Sequence, residues 1–362
     1  ASNEGCPLDV AKQGLVELKR RWEAAGVTLA IDALGTTGYG EELFARAFHA
    51  DYHTVETVAH ARAATLAVPD ASFVLDIGGQ DMKAIWLDRG VLTDIVVNEA
   101  CSAGCGSFLE GFAKNLDIKV EDIAERAFSS SEPAALGSRC TVFMNSSIVS
   151  EQRRGKGPGD IMAGLCRSII ENVFTKVIRV SNLNRLGERI VVQGGTFQND
   201  AVLRAFEQYL GKDVVRAPHP GLMGAIGIAL LAREKLDEGE TSSFIGLDAV
   251  ERFEHREFTG VTCPRCANHC QRAIVAFDDG TLYATGNRCP RGAAISWDEL
   301  VAAVPAASSV RPKDPEVEAA GGDGADAGAV APANSPVPVA NLFVDREKLL
   351  FQEWPCTPVC ED

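Results

Sequence analysis

Two glycine pairs, each at the end of an apolar run, have the composition of phosphate-binding turns. The segment VLDIGGQD (74–81) carries Asp76 two residues before the pair Gly78–Gly79, and VVQGGTFQND (191–200) carries the pair Gly194–Gly195. Glycine lets the backbone approach a phosphate closely enough for N–H groups to bind its oxygens. A carboxylate beside them can hold Mg²⁺ or its water shell. A hairpin bend explains either pair alone, but two such turns together favour a nucleotide site.

Four cysteines in the C-terminal third form a metal-binding pattern. Two residues separate the first from the second, three separate the second from the third, and eighteen separate the third from the fourth: Cys263, Cys266, Cys270 and Cys289. Four thiolates on a turn-rich scaffold bind tetrahedral zinc or an iron–sulfur cluster. The unequal spacing and Pro290 after the last cysteine favour the cluster. Zinc is the alternative, and the absence of any metal is the third possibility.

Two further cysteines could hold an electron-carrying cluster. Cys101 stands just before a predicted helix, and Cys140 stands apart from the other clusters. The positive end of a helix dipole and its free N–H groups suit an anionic iron–sulfur cluster. A four-iron cluster needs about four thiolates, and a two-fold dimer would supply them from two cysteines per subunit. Buried, unliganded thiols are the alternative.

Composition and charge exclude several classes of function. The 362 residues include 50 acidic and 35 basic side chains, which gives a formal net charge of -15. Such a chain repels phosphate backbones, so nucleic-acid binding is not expected. No apolar run approaches the roughly 18 residues that a membrane helix needs. The first residues lack the pattern of a signal peptide, so a cytoplasmic protein is expected.

An α/β fold is indicated by the elements that must position these residues. The predicted helices cover 8–25, 41–50, 54–67, 102–116, 120–128, 160–180, 199–210 and 222–235. The predicted strands cover 27–34, two or three antiparallel strands within 73–98, and then 189–192 and 213–216.

The chain divides into four predicted regions. Residues 1–240 form the α/β domain and 257–295 a small four-cysteine metal module. Residues 305–340, rich in Ala, Pro and Gly, cannot bury a core and are predicted to be a disordered linker. Residues 341–362 form a short tail.

Four motifs carry a resemblance to a known family. DIGGQDMK (76–83), NEACSAGCGSFLE (98–110), RCTVFMNS (139–146) and VVQGGTFQND resemble the ATP-dependent activators of 2-hydroxyacyl-CoA dehydratases, which belong with the ATPase subunits of benzoyl-CoA reductases. The chain looks closest to the long, multidomain activase-like proteins. The resemblance implies an acetate kinase, sugar kinase, Hsp70 and actin-like ATPase fold. The Asp-x-Gly-Ser/Thr turn that opens this fold has no match in residues 1–24, so an N-terminally incomplete domain is expected.

The resemblance also implies roles for the site residues. It implies ATP with Mg²⁺, with Asp76 as the catalytic residue. The nucleotide-binding residues implied are Gly78, Gly79, Gln80, Gly194 and Gly195. Cys101 and Cys140 match the ligands of one [4Fe–4S] cluster that bridges a homodimer.

The leading hypothesis is an iron–sulfur ATPase component that couples ATP binding and hydrolysis to low-potential electron transfer. Reduced ferredoxin or flavodoxin would donate the electron, and an iron–sulfur dehydratase or reductase would accept it. Neither nucleic acid nor membrane is an expected partner. A non-hydrolysing scaffold or electron-relay domain of a larger protein is the alternative. A small-molecule kinase of the same fold is a second alternative.

Overall fold

Helices and strands alternate through residues 5–98, 105–138, 140–180, 182–236 and 240–312, which are the residues that the computed structural model describes. The strands are β1 (Gly35–Thr37), β2 (Tyr52–Thr54), β3 (Phe73–Ile77), β4 (Met82–Asp88), β5 (Val91–Asn98), β6 (Ile190–Gln193), β7 (Val215–Arg216), β8 (His255–Thr262), β9 (Gln271–Phe277) and β10 (Leu282–Thr285). The α-helices are α1 (Pro7–Ala24), α2 (Glu41–Phe48), α3 (Glu56–Ala67), α4 (Gly106–Asn115), α5 (Ile123–Phe128), α6 (Thr141–Arg153), α7 (Pro158–Asn172), α8 (Asp200–Leu210), α9 (Met223–Lys235), α10 (Leu247–Arg252), α11 (Pro290–Ala293) and α12 (Trp297–Ala303).

A five-stranded mixed sheet lies at the centre of the fold, in the order β5-β4-β3-β6-β7. β3 pairs antiparallel with β4 and parallel with β6, while β4 and β5 are antiparallel and β6 and β7 parallel. Two or three antiparallel strands were expected within 73–98, and three are present. All five residues of β3 are buried, as the continuous apolar run of a central strand predicts. Its end and the end of β6 lie side by side, because Asp76 pairs in register with Gln193.

The two faces of this sheet are covered by different helices, because successive side chains of a strand point to opposite sides. Phe73 and Leu75 pack into a large apolar cluster with residues of α4 to α8. Val74 packs on the other face against Ala61 and Ala64 of α3. Asp76 alternates with Leu75 and therefore points towards α3. The strand pattern thus directs the candidate catalytic carboxylate to the α3 face.

Close backbone contacts at glycines join α9 to α3 and to the small parallel pair β1–β2. A Cβ atom added to Gly227 would collide with the backbone carbonyl of Ala59. One added to Gly35 would lie 2.7 Å from the carbonyl oxygen of Ile228. Only glycine fits at such distances, so α3, α9 and β1 form one tightly packed layer.

The C-terminal sheet, in the order β10-β9-β8, is antiparallel and packs on both of its faces. One face contributes Val275 and Phe277 to an apolar cluster with Leu8 of α1 and Phe48 of α2. The other face packs against α12 through Ile274 and neighbouring residues. Contacts among the described residues up to position 312 form one compact unit. Within that part of the chain, no helix combines the length and apolar content needed to cross a bilayer.

Several boundaries differ from the sequence prediction, among them the three that follow. Residues 27–34 form no strand, and pairing with β2 begins only at Gly35. The predicted helix 160–180 consists of α7 followed by a π-helical segment, Val173–Ile178, which ends at Arg179 with a φ of 52°. The predicted linker 305–340 begins too early, because Pro305–Ser309 form a 3₁₀ helix whose Ala307 is fully buried. Residues 313–340 of that linker and the tail 341–362 lie outside the described residues.

Candidate functional site

Asp76 lies in a buried polar group at the adjacent ends of β3 and β6. One carboxylate oxygen, Oδ2, is 3.0 Å from Nδ1 of His60 on α3, in an ion-pair contact. The same Nδ1 is 2.8 Å from the side-chain amide of Gln193. Asp76 Oδ2 and Gln193 Oε1 are both buried, and neither has an aligned hydrogen-bond partner among the described residues. Two acceptor oxygens with unused lone pairs form a donor set of the kind that a hard cation or its water shell satisfies.

The first glycine turn is hydrogen-bonded directly to the N-terminus of α4. Gly106 donates its N–H to the carbonyl of Gly78, at 2.9 Å, and Ser107 donates to the carbonyl of Gly79, at 2.8 Å. Within the turn, the N–H of Gly78 bonds to the carbonyl of Asp81. The position of this turn is therefore fixed by the start of a helix that sequence analysis placed next to the cysteine motif.

The second glycine turn approaches the first through backbone contacts. Gly194 has a φ of 92°, and a Cβ atom there would collide with the backbone of Ile77. Thr196 donates its hydroxyl to the carbonyl of Gly78, at 3.0 Å. A Cβ atom added to Gly106 would lie 2.6 Å from the same hydroxyl. The two turns predicted from the sequence are thus brought together, and glycine is required where they meet.

An open cleft of about 520 Å³ lies over this junction. It is lined by both glycine turns, the first turns of α4, α5 and α8, and the segment before α5. The lining residues are Gly79, Gly106, Ser107, Leu109, Glu110, Val120, Glu121, Ile123, Ala124, Gly195, Thr196, Gln198, Asn199 and Asp200. The cleft therefore offers the backbone of Gly79 and Gly195 to a phosphate, while the first N–H groups of α4 and α8 are already hydrogen-bonded within the protein.

Lys83 forms a buried ion-pair network beside the first turn. Its Nζ lies 2.6 Å from a carboxylate oxygen of Asp81 and 2.6 Å from one of Glu56 on α3. Burial lowers the pKa of Lys83, but the hydrogen bonds to these two carboxylates raise it, and the net pKa is above the ordinary value. Lys83 is therefore a fixed cation that ties the turn to α3.

The cysteines predicted to bind one bridging cluster are only partly described. Cys101 lies outside the described residues. Cys140 is exposed and is the N-cap residue of α6, and Cys105 is buried at the N-cap of α4. The helix predicted from 102 thus begins at Gly106 in the described residues. Burial raises the pKa of the Cys166 thiol to about 12, in agreement with an inert role.

The fold brings the backbone segments that carry the four cysteines of the C-terminal sheet close together in space. Cys263 directly follows the last paired residue of β8, and Cys270 directly precedes the first paired residue of β9. The N–H of Cys263 donates to the carbonyl of Cys270 at 2.9 Å. Cys289 is the N-cap residue of α11. Among the described residues, however, no three Cys, His, Asp or Glu side chains converge as a metal-binding group. The backbone brings the cysteine-bearing segments together without assembling the side chains around one point.

Sequence analysis did not single out three residues that the structure places at the site. His60 contacts Asp76. Lys83 and Thr196 each contact a residue of the first glycine turn. Thr196 directly follows the second glycine pair, so its position was a usable signal. His60 gave no such signal, since its proximity depends on how α3 packs on the sheet. Gln80 belongs to the first turn but does not line the cleft.

Comparison with known proteins agrees with this geometry. Residues 2–232 match the model of the BadF/BadG/BcrA/BcrD ATPase family. Over 199 residues, 55% of this chain and 74% of the relative, the chain is 37% identical to the (R)-2-hydroxyglutaryl-CoA dehydratase activating ATPase of Acidaminococcus fermentans. It is 36% identical, with the same coverage, to the activator of lactoyl-CoA dehydratase of Anaerotignum propionicum.

Among solved structures, the activator of the 2-hydroxyisocaproyl-CoA dehydratase from Clostridium difficile, with bound ADPNP, superposes with a TM-score of 0.53. The two chains are 29% identical, and the match covers 60% of this chain and 80% of the other. The mixed sheet with its two glycine turns is therefore an actin-like ATPase fold, and the chain belongs to the BadF/BadG/BcrA/BcrD ATPase family.

Proposed function

We propose that this chain is the nucleotide-binding, iron–sulfur component of an ATP-driven electron-transfer system that serves a dehydratase or reductase. The observation that carries the proposal is the pair of hydrogen bonds between the first glycine turn and the start of α4. The last cysteine of the motif, Cys105, is the N-cap residue of this helix. A nucleotide bound at the turn would therefore act directly on the segment that carries Cys101.

ATP with Mg²⁺ is the proposed nucleotide. The relatives are activating ATPases, and one solved relative holds ADPNP. The two glycine turns would hold the phosphates, and Asp76 and Gln193 offer buried oxygens to Mg²⁺ or its water shell. When bound, Mg²⁺ neutralises phosphate charge during hydrolysis. The chain's own residues would orient the phosphates and fix the carboxylate of Asp76 beside the adjacent ends of β3 and β6.

Cys101 and Cys140 are the proposed ligands of a [4Fe–4S] cluster shared by two copies of the chain. Two observations support this assignment. Cys140 is exposed, so a cluster bound to it could also be reached by a second copy of the chain. Cys140 also lies at the start of α6, where the positive end of the helix dipole favours an anionic cluster. The cluster would supply one-electron chemistry. The proposed donor is reduced ferredoxin or flavodoxin, and the acceptor is the iron–sulfur centre of the partner enzyme.

Cys263, Cys266, Cys270 and Cys289 are proposed to hold a second metal, iron–sulfur in preference to zinc. The hydrogen bond between the backbones of Cys263 and Cys270 supports this assignment, because it keeps two of the four segments adjacent. Two further backbone hydrogen bonds, from the N–H of His269 to the carbonyl of Cys266 and from the N–H of Gly292 to that of Cys289, form tight turns at the other two cysteines. Metal binding would require the four cysteine side chains to change rotamer so that their sulfur atoms converge.

The nucleotide site is tested by filling the cleft. Gly195 lines the cleft, and a Cβ atom there has no neighbour within 4 Å, so a larger side chain would enter open space. Gly195→Leu should weaken ADP binding, measured by calorimetry, by about tenfold or more, since the ligand must displace the side chain. Gly14→Leu is the matched control, because a Cβ atom at exposed Gly14 also has no neighbour. Equal affinity of Gly195→Leu and wild type would contradict the proposed site.

The metal sites are tested by iron and zinc analysis of anaerobically purified protein. Cys140→Ser should lose about two irons per chain, half of a cluster shared by two copies, and the dimer should dissociate. Cys266→Ser should lose a separate fraction of bound metal. Cys6→Ser, at another exposed cysteine, is the control and should keep both. A Cys140→Ser protein with full iron content would exclude the bridging cluster, and zinc lost from Cys266→Ser would assign zinc to the second site.

A further inference from the structure

Arg272 of β9 is a fully buried cation in the C-terminal sheet. Its side chain is 0% exposed, and one terminal nitrogen, Nη2, donates to a carboxylate oxygen of Glu299 on α12, at 2.6 Å. The other, Nη1, donates to the backbone carbonyl of Gly292 on α11, at 3.0 Å. Removing a guanidinium group from water is costly, so a buried arginine normally has its charge and its N–H groups fully compensated.

Neither compensation is complete for Arg272 within the described residues. Its Nε–H group is buried and has no hydrogen-bond partner there. Glu299 is shared, because its other carboxylate oxygen accepts a hydrogen bond from Arg265, at 3.0 Å. Two arginines therefore share one carboxylate. The group as a whole carries net positive charge and an unused buried donor, and an anion beside it would satisfy both.

Segments that carry three of the four cysteines of the C-terminal sheet meet at this cation. Arg272 follows Cys270 by two residues at the start of β9. Gly292, which accepts from Arg272, belongs to α11, whose N-cap residue is Cys289. A Cβ atom added to Gly292 would lie 3.7 Å from Sγ of Cys263, so this thiol lies against α11. Arg272 thus holds the short helix that follows Cys289 beside the thiol of Cys263.

We propose that Arg272 provides the counter-charge for a metal centre formed by the four cysteines. Four thiolates outweigh the positive charge of zinc or of an iron–sulfur core, so either centre is an anion. The orphaned Nε–H group and the net positive charge of the two arginines fit such an anion. Through Gly292, Arg272 also keeps Cys289 near Cys263. This inference rests on the proposed metal site and adds the residue that stabilises its charge.

The test measures Co²⁺ binding to the metal-depleted full chain under anaerobic, reducing conditions. Co²⁺ is the probe because its thiolate complexes absorb visible light, and the absorption that Cys266→Ser loses belongs to this site. Arg272→Met removes the charge and keeps much of the side-chain volume. It should weaken Co²⁺ binding by about tenfold or more, the usual effect of losing a residue that supports metal ligands. Arg256→Met, at an exposed position of β8, is the matched control and should bind Co²⁺ as wild type does.

Glu299→Gln separates the effect of charge from that of structure. It disrupts the same ion pair but removes a negative charge near the centre, so it should strengthen Co²⁺ binding by a few fold. A purely structural role of the ion pair would weaken binding in both variants, and that result overturns the inference. Circular dichroism of each variant checks that it is folded. If Arg272→Met is not folded, Glu299→Gln decides alone, and unchanged or weaker binding then contradicts the proposal.

The same titrations distinguish failure of the inference from failure of the proposed metal site. If Cys266→Ser removes no absorption, the four cysteines bind no Co²⁺, and the proposed site is excluded together with this inference. If Cys266→Ser removes the absorption but Arg272→Met binds Co²⁺ with the affinity of wild type, the site remains and the inference alone is excluded.

Discussion

At the scale of single residues, Asp51 holds three stretches of chain together through both of its carboxylate oxygens. Oδ2 accepts hydrogen bonds from the N–H of Leu34 and the hydroxyl of Ser242, and Oδ1 accepts from the N–H of Ser243, at 2.6–2.7 Å. Burial raises the pKa of Asp51, but these hydrogen bonds lower it, and the net pKa is below its ordinary value of 3.8. The charged form is therefore the one that stabilises the fold.

Asp51→Asn should destabilise the protein by about 1–3 kcal/mol near neutral pH, because an NH₂ group would face N–H and O–H donors. A lowered carboxyl pKa gives stability that is present above the unfolded-state pKa, near 3.8, and is lost as the pH falls through the folded-state value. The difference from wild type should therefore shrink in acid. Urea unfolding at a series of pH values measures it, with exposed Asp88→Asn as the control. A difference that stays constant down to the lowest pH would contradict this account.

The residues of the proposed nucleotide site differ in how far the sequence could predict them. Gly78–Gly79 and Gly194–Gly195 stand beside their strands in the sequence, so their turns follow from local pattern alone. The contact between His60 and Asp76 depends on the face of the sheet that α3 covers and on the rotation of that helix about its axis. A single sequence records neither quantity, and for this reason His60 was not recognised as part of the site.

At the scale of elements, α8 was predicted well because both of its ends carry local sequence signals. α8 begins after Asn199, whose side chain caps it, and ends at Gly211 in the left-handed conformation. α6 was missed because TVFMNSSIVSEQR has polar residues around the whole helix and no side-chain cap. The predicted strand at 27–34 was wrong because an apolar run extends as a strand only where a neighbour pairs with it, and in the described residues pairing starts at Gly35.

The packing of α9 on α3 gives an element-scale prediction. Gly227→Ala would place a methyl group against the carbonyl of Ala59, so one helix must move away from the other. We expect a loss of about 1–3 kcal/mol or more in the free energy of unfolding. Gly14→Ala, at an exposed position of α1 with free space around it, should instead stabilise by about 0.5–1 kcal/mol. Chemical denaturation of both variants measures the two effects, and a neutral Gly227→Ala would show that the helices have room to separate.

At the scale of the whole molecule, the C-terminal sheet shares its core with the first fifty residues. Phe253 lies between Phe48 of α2 and Phe277 of β9, with ring centroids 5.3 and 6.1 Å away. Lys12 of α1 donates to the carbonyl of Phe253, and Lys19 forms ion pairs with Asp248 and Glu251 of α10. The cysteine-bearing sheet and the start of the chain therefore stabilise each other, in addition to any stabilisation by bound metal.

Phe253→Ala should lower the free energy of unfolding by about 3–5 kcal/mol, because it opens a cavity between the two regions. Unfolding should remain a single transition, with the near-ultraviolet and far-ultraviolet signals changing together. Phe128→Ala is the matched control, since Phe128 is 57% exposed and its loss should cost less than about 1 kcal/mol. Separate transitions for the two signals in wild type would show that the C-terminal sheet folds independently.

The glycine contacts of α9 also determine how the molecule can deform. Side chains at an interface can change rotamer and let two elements slide, but backbone packed against backbone has no such freedom. α9 meets α3 at Gly227 and β1 at Ile228 in this way. These three elements therefore behave as a single rigid body. If the cleft narrows around a ligand, we expect α3, α9 and β1 to move together, with the change in backbone angles in connections outside them, such as residues 68–72 before β3 and Pro220–Leu222 before α9.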